Sequence, residues 1–444
     1  MALKRKALRK MLEWKRNKGK QALLVTGARQ VGKTFLIRQF MRENYESSVE
    51  INLLESEDAL LAFQSPKSPE SVFLRISAFA QQELVPGKTA IFIDEVQESK
   101  EIVTALKFLV DRYGDDYDFI VSGSLLGVEL QSVRSLPVGY LSIIEMYPLD
   151  FEEFCWARGV SSLLIDEVLS AYSGLRPVDA VVHNRLTDEF HHYLLSGGMP
   201  DVVSSLLQTH NMQEVRARQR DITDLYRLDI SKYAGNRART VRRIFDLIPA
   251  ELNTQSKRFA FGHIEGESRF NRYDNDFTWL VDAGIAIPVC NVDEPRYPLE
   301  LSADSSYFKL FLCDVGLLTY LAGMDVMRDL LLDRPDINYG SIYENFVAQE
   351  LVARGLCHPS PERHAFFYRS RKLGELDFVF EDSAHRAVPL EVKSGKSYRR
   401  HSALSKALEI ENYGIERAIV LHEGNVEVDG KVAYLPMYMT MVLD

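Results

Sequence analysis

The sequence contains little cysteine, no long apolar run and no internal repeat. Its 4 cysteines are far apart and form no Cys-x-x-Cys pair, which is typical of reduced thiols in a cytosolic protein and argues against a zinc site. No stretch reaches about 18 uncharged apolar residues, so we expect no membrane-spanning helix and no membrane partner. The first residues are basic and lack an apolar h-region, so we expect no secretory signal and a cytoplasmic location.

Positive charge does not predominate, since 53 Lys and Arg stand against 63 Asp and Glu and the 444 residues carry a formal net charge of −10. This charge balance disfavours a protein coated in nucleic acid. The length of the chain predicts about three domains. Two segments depart from the average: residues 1–20 are strongly basic, and arginines cluster over residues 216–243. Both clusters are compatible with a solvated helix face, and equally with contacts to phosphate or to an acidic neighbour.

The segment Gly27–Thr34 matches the pattern G-x-x-x-x-G-K-[ST] and follows the apolar run Ala22–Thr26. The pattern predicts a strand, a glycine turn that side chains would block, and a helix whose first N–H groups surround a phosphate. Lys33 would reach the β- and γ-phosphates, and the Thr34 hydroxyl would hold Mg²⁺. The segment therefore predicts a nucleotide site, with ATP and Mg²⁺ as its cofactors.

Two acids, Asp94 and Glu95, end the apolar strand predicted over Thr89–Glu95. A carboxylate at this end of a parallel strand supports magnesium, and the next acid is placed to activate a water for phosphoryl transfer. Ser122 or Ser124, after the following strand, would sense the γ-phosphate or simply cap a turn. The predicted catalytic residues here are Lys33 and Glu95, and the predicted magnesium ligands are Thr34 and Asp94. The predicted nucleotide contacts are Gly27, Ala28, Arg29, Gln30, Val31, Gly32, Lys33, Thr34, Phe35, Asp94 and Ser122.

A second acidic group lies near the C-terminus, where a strand with Asp377 precedes a strand with Glu391 and Lys393. Residues i and i+2 of a strand share a face, so Glu391 and Lys393 point together and Asp377 could join them from the adjacent strand. Glu344, on a preceding helix, would complete a metal site. We predict Asp377, Glu391 and Lys393 as catalytic, with Glu344, Asp377 and Glu391 as ligands of a second Mg²⁺. A salt-bridge pair on a half-buried sheet, or a retained fold without cleavage, would give the same pattern.

Three segments together, Gly27–Thr34, Ile91–Glu95 and Ile120–Ser124, resemble the AAA+ branch of P-loop ATPases. The stretches GARQVGKT, IFIDEVQ, SGSLLGVEL, YPLDFEEF and SGGMPDVV are similar to a prokaryotic group of AAA+ ATPases whose C-terminal domain resembles restriction-endonuclease-like nucleases. The D…E-x-K arrangement is similar to the PD-(D/E)xK nuclease core. Many members of that group have a Leu-x-Gly-Arg segment before the YPL element, and this chain lacks its arginine. Arg134 is the substitute that the sequence offers for activation in trans.

The resemblance implies an α/β protein: a P-loop AAA+ parallel sheet with a helical lid, a winged-helix-like middle module and a C-terminal restriction-endonuclease-like α/β domain. The strands that alternate with helical segments agree with a parallel sheet. Within the middle module, we expect Arg269–Ala286 as the last helix before the wing. The expected domains are 1–148 for the ATPase core, 149–235 for the lid, 236–303 for the middle module and 304–444 for the nuclease-like domain.

The sequence favours an ATP-binding and ATP-hydrolysing AAA+ protein that couples its nucleotide state to a DNA-facing, nuclease-like C-terminal domain. The alternative is a nucleotide-controlled switch or scaffold that binds a protein partner and has a non-cleaving C-terminal domain. A small-molecule kinase is less favoured, because it would need neither Glu95 beside Asp94 nor a second large α/β domain. ATP is thus the expected ligand, DNA or a protein the further partner, and an oligomer is compatible with either function.

Overall fold

The fold is taken from a computed structural model. It describes residues 2–55, 57–63, 68–124, 139–254, 257, 259, 274–331, 340–356, 365–395 and 397–444. These residues form two compact units. The N-terminal unit comprises Arg5–Tyr147 and Asp282–Gly284, and the C-terminal unit comprises the rest of the described chain. Arg134 and the 136–138 segment that precedes the YPL element lie outside the described residues.

The N-terminal unit is built on a five-stranded sheet in which all neighbouring strands are parallel. Its strands are β1 Ala22–Thr26, β2 Ser47–Asn52, β3 Thr89–Asp94, β4 Asp118–Ser122 and β5 Leu141–Glu145, in the order β2-β3-β4-β1-β5. The strands β1 and β3 are almost wholly apolar and buried, as expected of a parallel sheet covered on both faces. The order places β4 between β1 and β3, so the residues that follow these three strands meet at one edge.

Helices cover this sheet through apolar side chains at helical spacing. They are α1 Lys6–Asn17, α2 Lys33–Asn44, α3 Glu57–Leu61, α4 Pro69–Ser77 and α5 Lys100–Tyr113, with a 3₁₀ turn at Val96–Glu98. In α1, Ala7, Met11 and Trp14 lie one turn apart and are buried, while the basic residues occupy the other positions. The strand predicted over Thr89–Glu95 is confirmed to within one residue, and a helix follows the glycine loop as predicted.

The C-terminal unit combines helices with an eight-stranded mixed sheet. Its helices are α6 Phe151–Ala157, α7 Ser162–Ser173, α8 Ala180–Ser196, α9 Pro200–Thr209, α10 Met212–Tyr233, α11 Ala238–Leu252, α12 Asp274–Asp282, α13 Val315–Ala322, α14 Met324–Leu331, α15 Gly340–Ala353 and α16 Ser402–Leu408. Its strands are β6 Ala286–Val292, β7 Ala303–Leu312, β8 Ala365–Ser370, β9 Gly374–Glu381, β10 Ala387–Val392, β11 Ala418–His422, β12 Glu427–Asp429 and β13 Val432–Pro436. Short 3₁₀ turns are Gly235–Arg237, Leu299–Ser302, Glu411–Tyr413 and Met437–Val442.

The sheet order β12-β13-β11-β10-β9-β8-β6-β7 differs from the expected separate middle module. β6 pairs with β7 on one side and with β8 on the other, so the strands expected as a wing extend the C-terminal sheet. β6 is buried along nearly its whole length, which suits a strand inside a sheet rather than a solvated wing. The expected last helix of that module is described only as Asp274–Asp282. The segment expected as the lid also belongs to this unit.

The YPLDFEEF and SGGMP segments meet in a buried hydrogen-bond network of the C-terminal unit. The Gly198 N–H donates to the Asp314 carboxylate at 2.6 Å, and the Leu149 N–H donates to the Gly198 carbonyl at 2.7 Å. Gly197 has φ +68°, and a Cβ there would lie 2.1 Å from an oxygen of Asp314. The chain turns tightly here, and Gly197 is required because the backbone approaches Asp314 this closely.

Candidate functional site

The glycine loop joins β1 to α2 with backbone angles that its two pattern glycines permit. Gly27 has φ +134°, and a Cβ on it would lie 2.0 Å from the Met146 carbonyl oxygen. Gly32 caps α2 in the left-handed region at φ 91°. Both positions therefore exclude larger residues, for steric reasons at Gly27 and for conformational reasons at Gly32. The loop N–H groups precede the first turn of α2, where an anion is favoured.

Lys33 lies buried beneath the loop. Its ammonium donates to the carbonyl oxygens of Gly27 and Ala28, each at 2.9 Å. Burial lowers the pKa of Lys33 to about 8, although the nearby carboxylates of Glu95 and Asp94 oppose this shift. The side chain thus holds the loop together from inside and places a positive charge beneath it.

Thr34, Asp94 and Ser122 form one oxygen cluster at the ends of β3 and β4 and the start of α2. The Thr34 hydroxyl donates to the Asp94 carboxylate at 2.8 Å, and the Ser122 hydroxyl donates to the other oxygen of the same carboxylate. A hydroxyl beside a carboxylate is the donor chemistry that Mg²⁺ prefers, so the residues present fit a magnesium ion. In this structure Ser122 therefore contacts the Asp94 carboxylate.

Glu95 occupies the left-handed backbone region, with φ 57° and ψ 44°. This conformation is uncommon for a residue with a side chain and is often found at functional sites. The Gln97 amide donates to one Glu95 oxygen, and the Ser124 hydroxyl lies 3.4 Å from the same oxygen. The sequence left open which of the two serines acts at the site. In the structure they contact different carboxylates, Ser122 that of Asp94 and Ser124 that of Glu95. Sequence reasoning missed Gln97, although it stands two residues after Glu95.

Arg5 is a second residue that sequence reasoning missed. Its guanidinium is buried and donates to the Val31 carbonyl at 2.9 Å and to the Tyr147 carbonyl at 2.5 Å. In the sequence it is one of many basic residues at the N-terminus, and nothing in its spacing points to the loop. Of the other predicted contacts, Ala28 and Val31 are buried, whereas Phe35 at the start of α2 is 57% exposed.

The C-terminal unit brings together all four of the residues predicted for its site. Glu344, Asp377 and Lys393 line one cavity of about 260 Å³, and Glu391 lies beside Lys393 with 2.6 Å between ammonium and carboxylate. Asp377 accepts the Val392 N–H at 2.8 Å, as the antiparallel pairing of β9 with β10 allows. Burial, reinforced by the charge of Asp377, raises the pKa of Glu391, and the Lys393 ammonium opposes this shift.

Two further lysines, Lys257 and Lys309, enter this site and were not predicted. Lys309 has a fully buried side chain, and its ammonium lies 2.7 Å from Glu375 and 3.5 Å from Glu344. Lys257 forms an ion pair with the other oxygen of Glu344. Burial would lower the pKa of Lys309, but the carboxylates of Glu344 and Glu375 outweigh burial and raise it. Both lysines come from segments remote in sequence, so no local motif marks them.

The C-terminal donor set does not fit a metal ion as it is arranged. Its carboxylates have suitable oxygen chemistry, but ammonium groups or a backbone N–H already bond to them. In the described part of the chain, no group of three or more His, Cys, Asp or Glu side chains is placed to hold a metal. We therefore derive no chemical step through a metal at this site.

Several residues of the basic clusters are paired with acids of their own unit. Lys18 lies 2.6 Å from Asp118, and Lys20 lies 2.7 Å from Asp115. In the arginine cluster the ion pairs are Arg218 with Asp201, Arg220 with Asp221, Arg237 with Asp276 and Arg242 with Asp246. For these residues the geometry favours the interpretation as ion-paired helix faces. Among the helices described, none is both long and apolar enough to span a membrane.

The residues of the two sites fall within segments that match different protein families. Residues 19–155 match the sequence model of a family described as an AAA domain. Residues 187–328 and 339–439 match two families described as domains of unknown function, DUF8612 and DUF4143 respectively. A search of curated proteins found no match.

Several solved structures are similar to this chain. The Walker-type ATPase PABY2304 of Pyrococcus abyssi is 14% identical, with 72% of this chain and 96% of that chain covered and a TM-score of 0.43. Cdc6p of Pyrobaculum aerophilum is 13% identical, with 74% and 93% covered and a TM-score of 0.26. The ORC1 protein of Aeropyrum pernix, solved in complex with DNA, is 12% identical, with 76% and 94% covered and a TM-score of 0.27. Scores this low add no detail to either site.

The family match and the geometry agree on the first site. The matched residues contain the glycine loop, Lys33, Thr34 and the acids that end β3. Its sheet is parallel, and the helix after the loop begins at Lys33. Residues 19–155 of this chain form an AAA-type P-loop domain.

Proposed function

We propose that the chain binds ATP at the loop Gly27–Thr34 and hydrolyses its terminal phosphoanhydride bond. The observation that carries this proposal is the 2.8 Å hydrogen bond between Thr34 and Asp94, with Glu95 as the next residue. Thr34 and Asp94 would hold a magnesium ion, which when bound neutralises charge on the phosphate oxygens. The family match to an AAA domain supports the same activity.

The residues of the loop would bind and orient the phosphates. The loop N–H groups and the start of α2 favour a polyphosphate, and Lys33 would leave its two carbonyl partners to pair with the β- and γ-phosphates. Glu95, held by Gln97, would accept a proton from the water that attacks the γ-phosphate. Ser122 would keep the Asp94 carboxylate in place through its hydroxyl.

Two substitutions separate binding from hydrolysis. Lys33→Ala should abolish binding of a fluorescent ATP analogue, because the ammonium proposed to pair with the β- and γ-phosphates is lost. Glu95→Gln should bind the analogue normally and lose about 100-fold or more in kcat, the usual contribution of a general base. An ATPase assay measures both variants against the wild type. Hydrolysis by Glu95→Gln at the wild-type rate would contradict the role of Glu95 and leave nucleotide binding standing.

For the C-terminal unit we propose a function coupled to the nucleotide state, for which two candidates remain. Cleavage of DNA is supported by the grouping of Glu344, Asp377 and Lys393 around one cavity. A wider groove of about 1190 Å³, which shares Lys257 and Asp377 with that cavity, also carries Arg369 and Arg371. These cations would suit a phosphate backbone.

Binding of a partner without cleavage is the second candidate. The observation that favours it is that the carboxylates of the site are paired with lysines, an arrangement that does not fit a metal ion. In this case the nucleotide state of the P-loop domain would control an interaction module rather than a nuclease.

A single set of samples distinguishes the two candidates. ATPase rates are measured with and without duplex, single-stranded and branched DNA, alongside a Mg²⁺-dependent cleavage gel. A cleavage product that Asp377→Ala with Lys393→Ala removes would establish the nuclease. Stimulation of ATP hydrolysis without a product would favour a DNA-responsive, non-cleaving module, and no effect of DNA on either signal would favour a protein partner.

A further inference from the structure

The carboxylate of Glu344 is neutralised from two sides by lysines. Lys257 forms an ion pair with one oxygen, and Lys309 lies 3.5 Å from the other. Glu344 has almost no exposed side-chain surface, so water cannot replace these partners. A buried carboxylate is costly unless it is paired, and among the described residues two ammonium groups pair with Glu344.

The charges around this carboxylate balance without any added ion. The acids are Glu344, Glu375, Asp377 and Glu391, and the cations are Lys257, Lys309, Lys393 and Arg369. Arg369 contributes through its 3.5 Å contact with Glu375. Four acidic side chains therefore face four basic side chains. The cluster differs from a metal centre, in which the acids would outnumber the cations before the metal binds.

The two lysines at Glu344 differ in how firmly the fold holds them. Lys309 is part of β7, has no exposed side-chain surface and is also paired with Glu375. Lys257 follows α11, retains 20% side-chain exposure and lines both the cavity and the wider groove. Withdrawal of Lys309 would require disruption of the sheet, whereas Lys257 could leave Glu344 by a movement of its own side chain.

We propose that Lys257 is an internal cation that occupies the position at Glu344 which a divalent metal ion would otherwise take. Its ammonium keeps the C-terminal site charge-balanced and closed to metal ions. When the Lys257 charge is removed, Glu344 and Asp377 become the strongest uncompensated acids of the cavity, and together with Glu391 they attract a divalent cation. The inference rests on the proposed grouping of this site, but it does not require that the site cleave DNA.

The test measures binding of Mn²⁺ to the full chain without nucleotide. The electron paramagnetic resonance signal of free Mn²⁺ reports how much of the ion remains unbound. The wild type should bind Mn²⁺ weakly, and Lys257→Met should bind one Mn²⁺ about tenfold more tightly or better, because a competing buried cation has gone. Adding Glu344→Gln to Lys257→Met should remove that gain. Lys406→Met, which removes an exposed lysine of α16, serves as the matched control and should behave as the wild type.

Thermal unfolding in the presence of Mn²⁺ provides a second readout. A ligand that binds only the folded protein raises the Tm, so Mn²⁺ should raise the Tm of Lys257→Met more than that of the wild type. Lys257→Arg, which retains the charge, should restore the wild-type response. Equal Mn²⁺ affinity in the wild type and Lys257→Met, whether tight or undetectable, would overturn the inference. Mn²⁺ binding by Lys257→Met without any DNA cleavage would support it while contradicting the nuclease candidate.

Discussion

The guanidinium of Arg5 donates a hydrogen bond of 2.9 Å to the carbonyl oxygen of Val31, inside the phosphate loop. In a trans peptide the C=O and the following N–H point in opposite directions. We infer that Arg5, by holding the Val31 carbonyl, turns the Gly32 N–H towards the side of the loop where we propose that a phosphate binds. The second bond of Arg5, to Tyr147, fixes the guanidinium to the chain just after β5.

Arg5→Ala should weaken ATP binding and change kcat much less. A hydrogen bond from a charged group to a buried partner contributes about 1.5–3 kcal/mol, so the Kd for nucleotide should rise about tenfold to 100-fold. Arg9→Ala is the matched control, because Arg9 is an exposed basic residue of α1 that pairs with Glu13. Titration of a fluorescent ATP analogue checks both variants. An unchanged Kd in Arg5→Ala would show that the loop keeps its shape without this contact.

The N-terminal unit shows how far the sequence alone leads. The loop, the strand before it and the acids after β3 are contiguous segments, so periodicity and motif spacing predict them almost residue by residue. Arg5 is different, because its partners lie 26 and 142 residues away. Contacts at such separations are fixed by the packing of the finished fold, and a single sequence has no periodicity that reports them.

The same limit applies to the C-terminal unit. Asp377 and Glu391 were predicted together, since they lie on adjacent strands that share an antiparallel pairing. Lys257 and Lys309 reach the same site from 87 and 35 residues before Glu344. The strand β6 was expected in a separate wing for a related reason. Its apolar pattern indicates burial, but it does not indicate which strand it will pair with.

Gln97→Ala should lower kcat about tenfold while leaving the Kd for ATP unchanged. The Gln97 amide donates to Glu95, so its loss frees the carboxylate to leave the position for water activation. Gln97→Glu should lower kcat further, because two carboxylates would then repel each other at this point. Steady-state ATPase kinetics and nucleotide titration measure the two quantities separately. A rise in Kd with normal kcat would assign Gln97 to nucleotide binding instead.

Gly197→Ala should destabilise the C-terminal unit by several kcal/mol. The added Cβ would lie 2.1 Å from a carboxylate oxygen of Asp314, a side chain that hydrogen bonds hold in place. The left-handed backbone at φ +68° adds conformational strain. Gly355→Ala is a matched control, since Gly355 has φ +76° but its Cβ would meet no atom of the described residues within 4 Å. That control should cost only about 1–2 kcal/mol, the price of the left-handed backbone. Thermal unfolding measures the Tm of both variants. Equal losses in Tm would contradict the steric argument.

Asp314 predicts how the stability of the C-terminal unit depends on pH. Burial raises the pKa of this carboxyl to about 6 from 3.8, although N–H groups of Gly198, Leu317 and Gly316 bind it and oppose the shift. Between these two values the folded state binds more protons than the unfolded state. The contribution of Asp314 to the free energy of unfolding therefore falls as pH rises from about 4 to about 6, by up to roughly 3 kcal/mol, and is constant above this range.

The measurement is the free energy of unfolding by urea from pH 4 to pH 7, for the wild type and for Asp314→Asn. Asp314→Asn also loses an acceptor for the Gly198 N–H, so it should be less stable throughout. Other titrating groups contribute equally to both proteins and cancel in the difference between them. The stability advantage of the wild type should therefore shrink as pH rises to about 6. A difference that is constant with pH, or that grows with it, would show that the Asp314 carboxyl is not held with a raised pKa. In that case its three N–H partners would outweigh the cost of its burial.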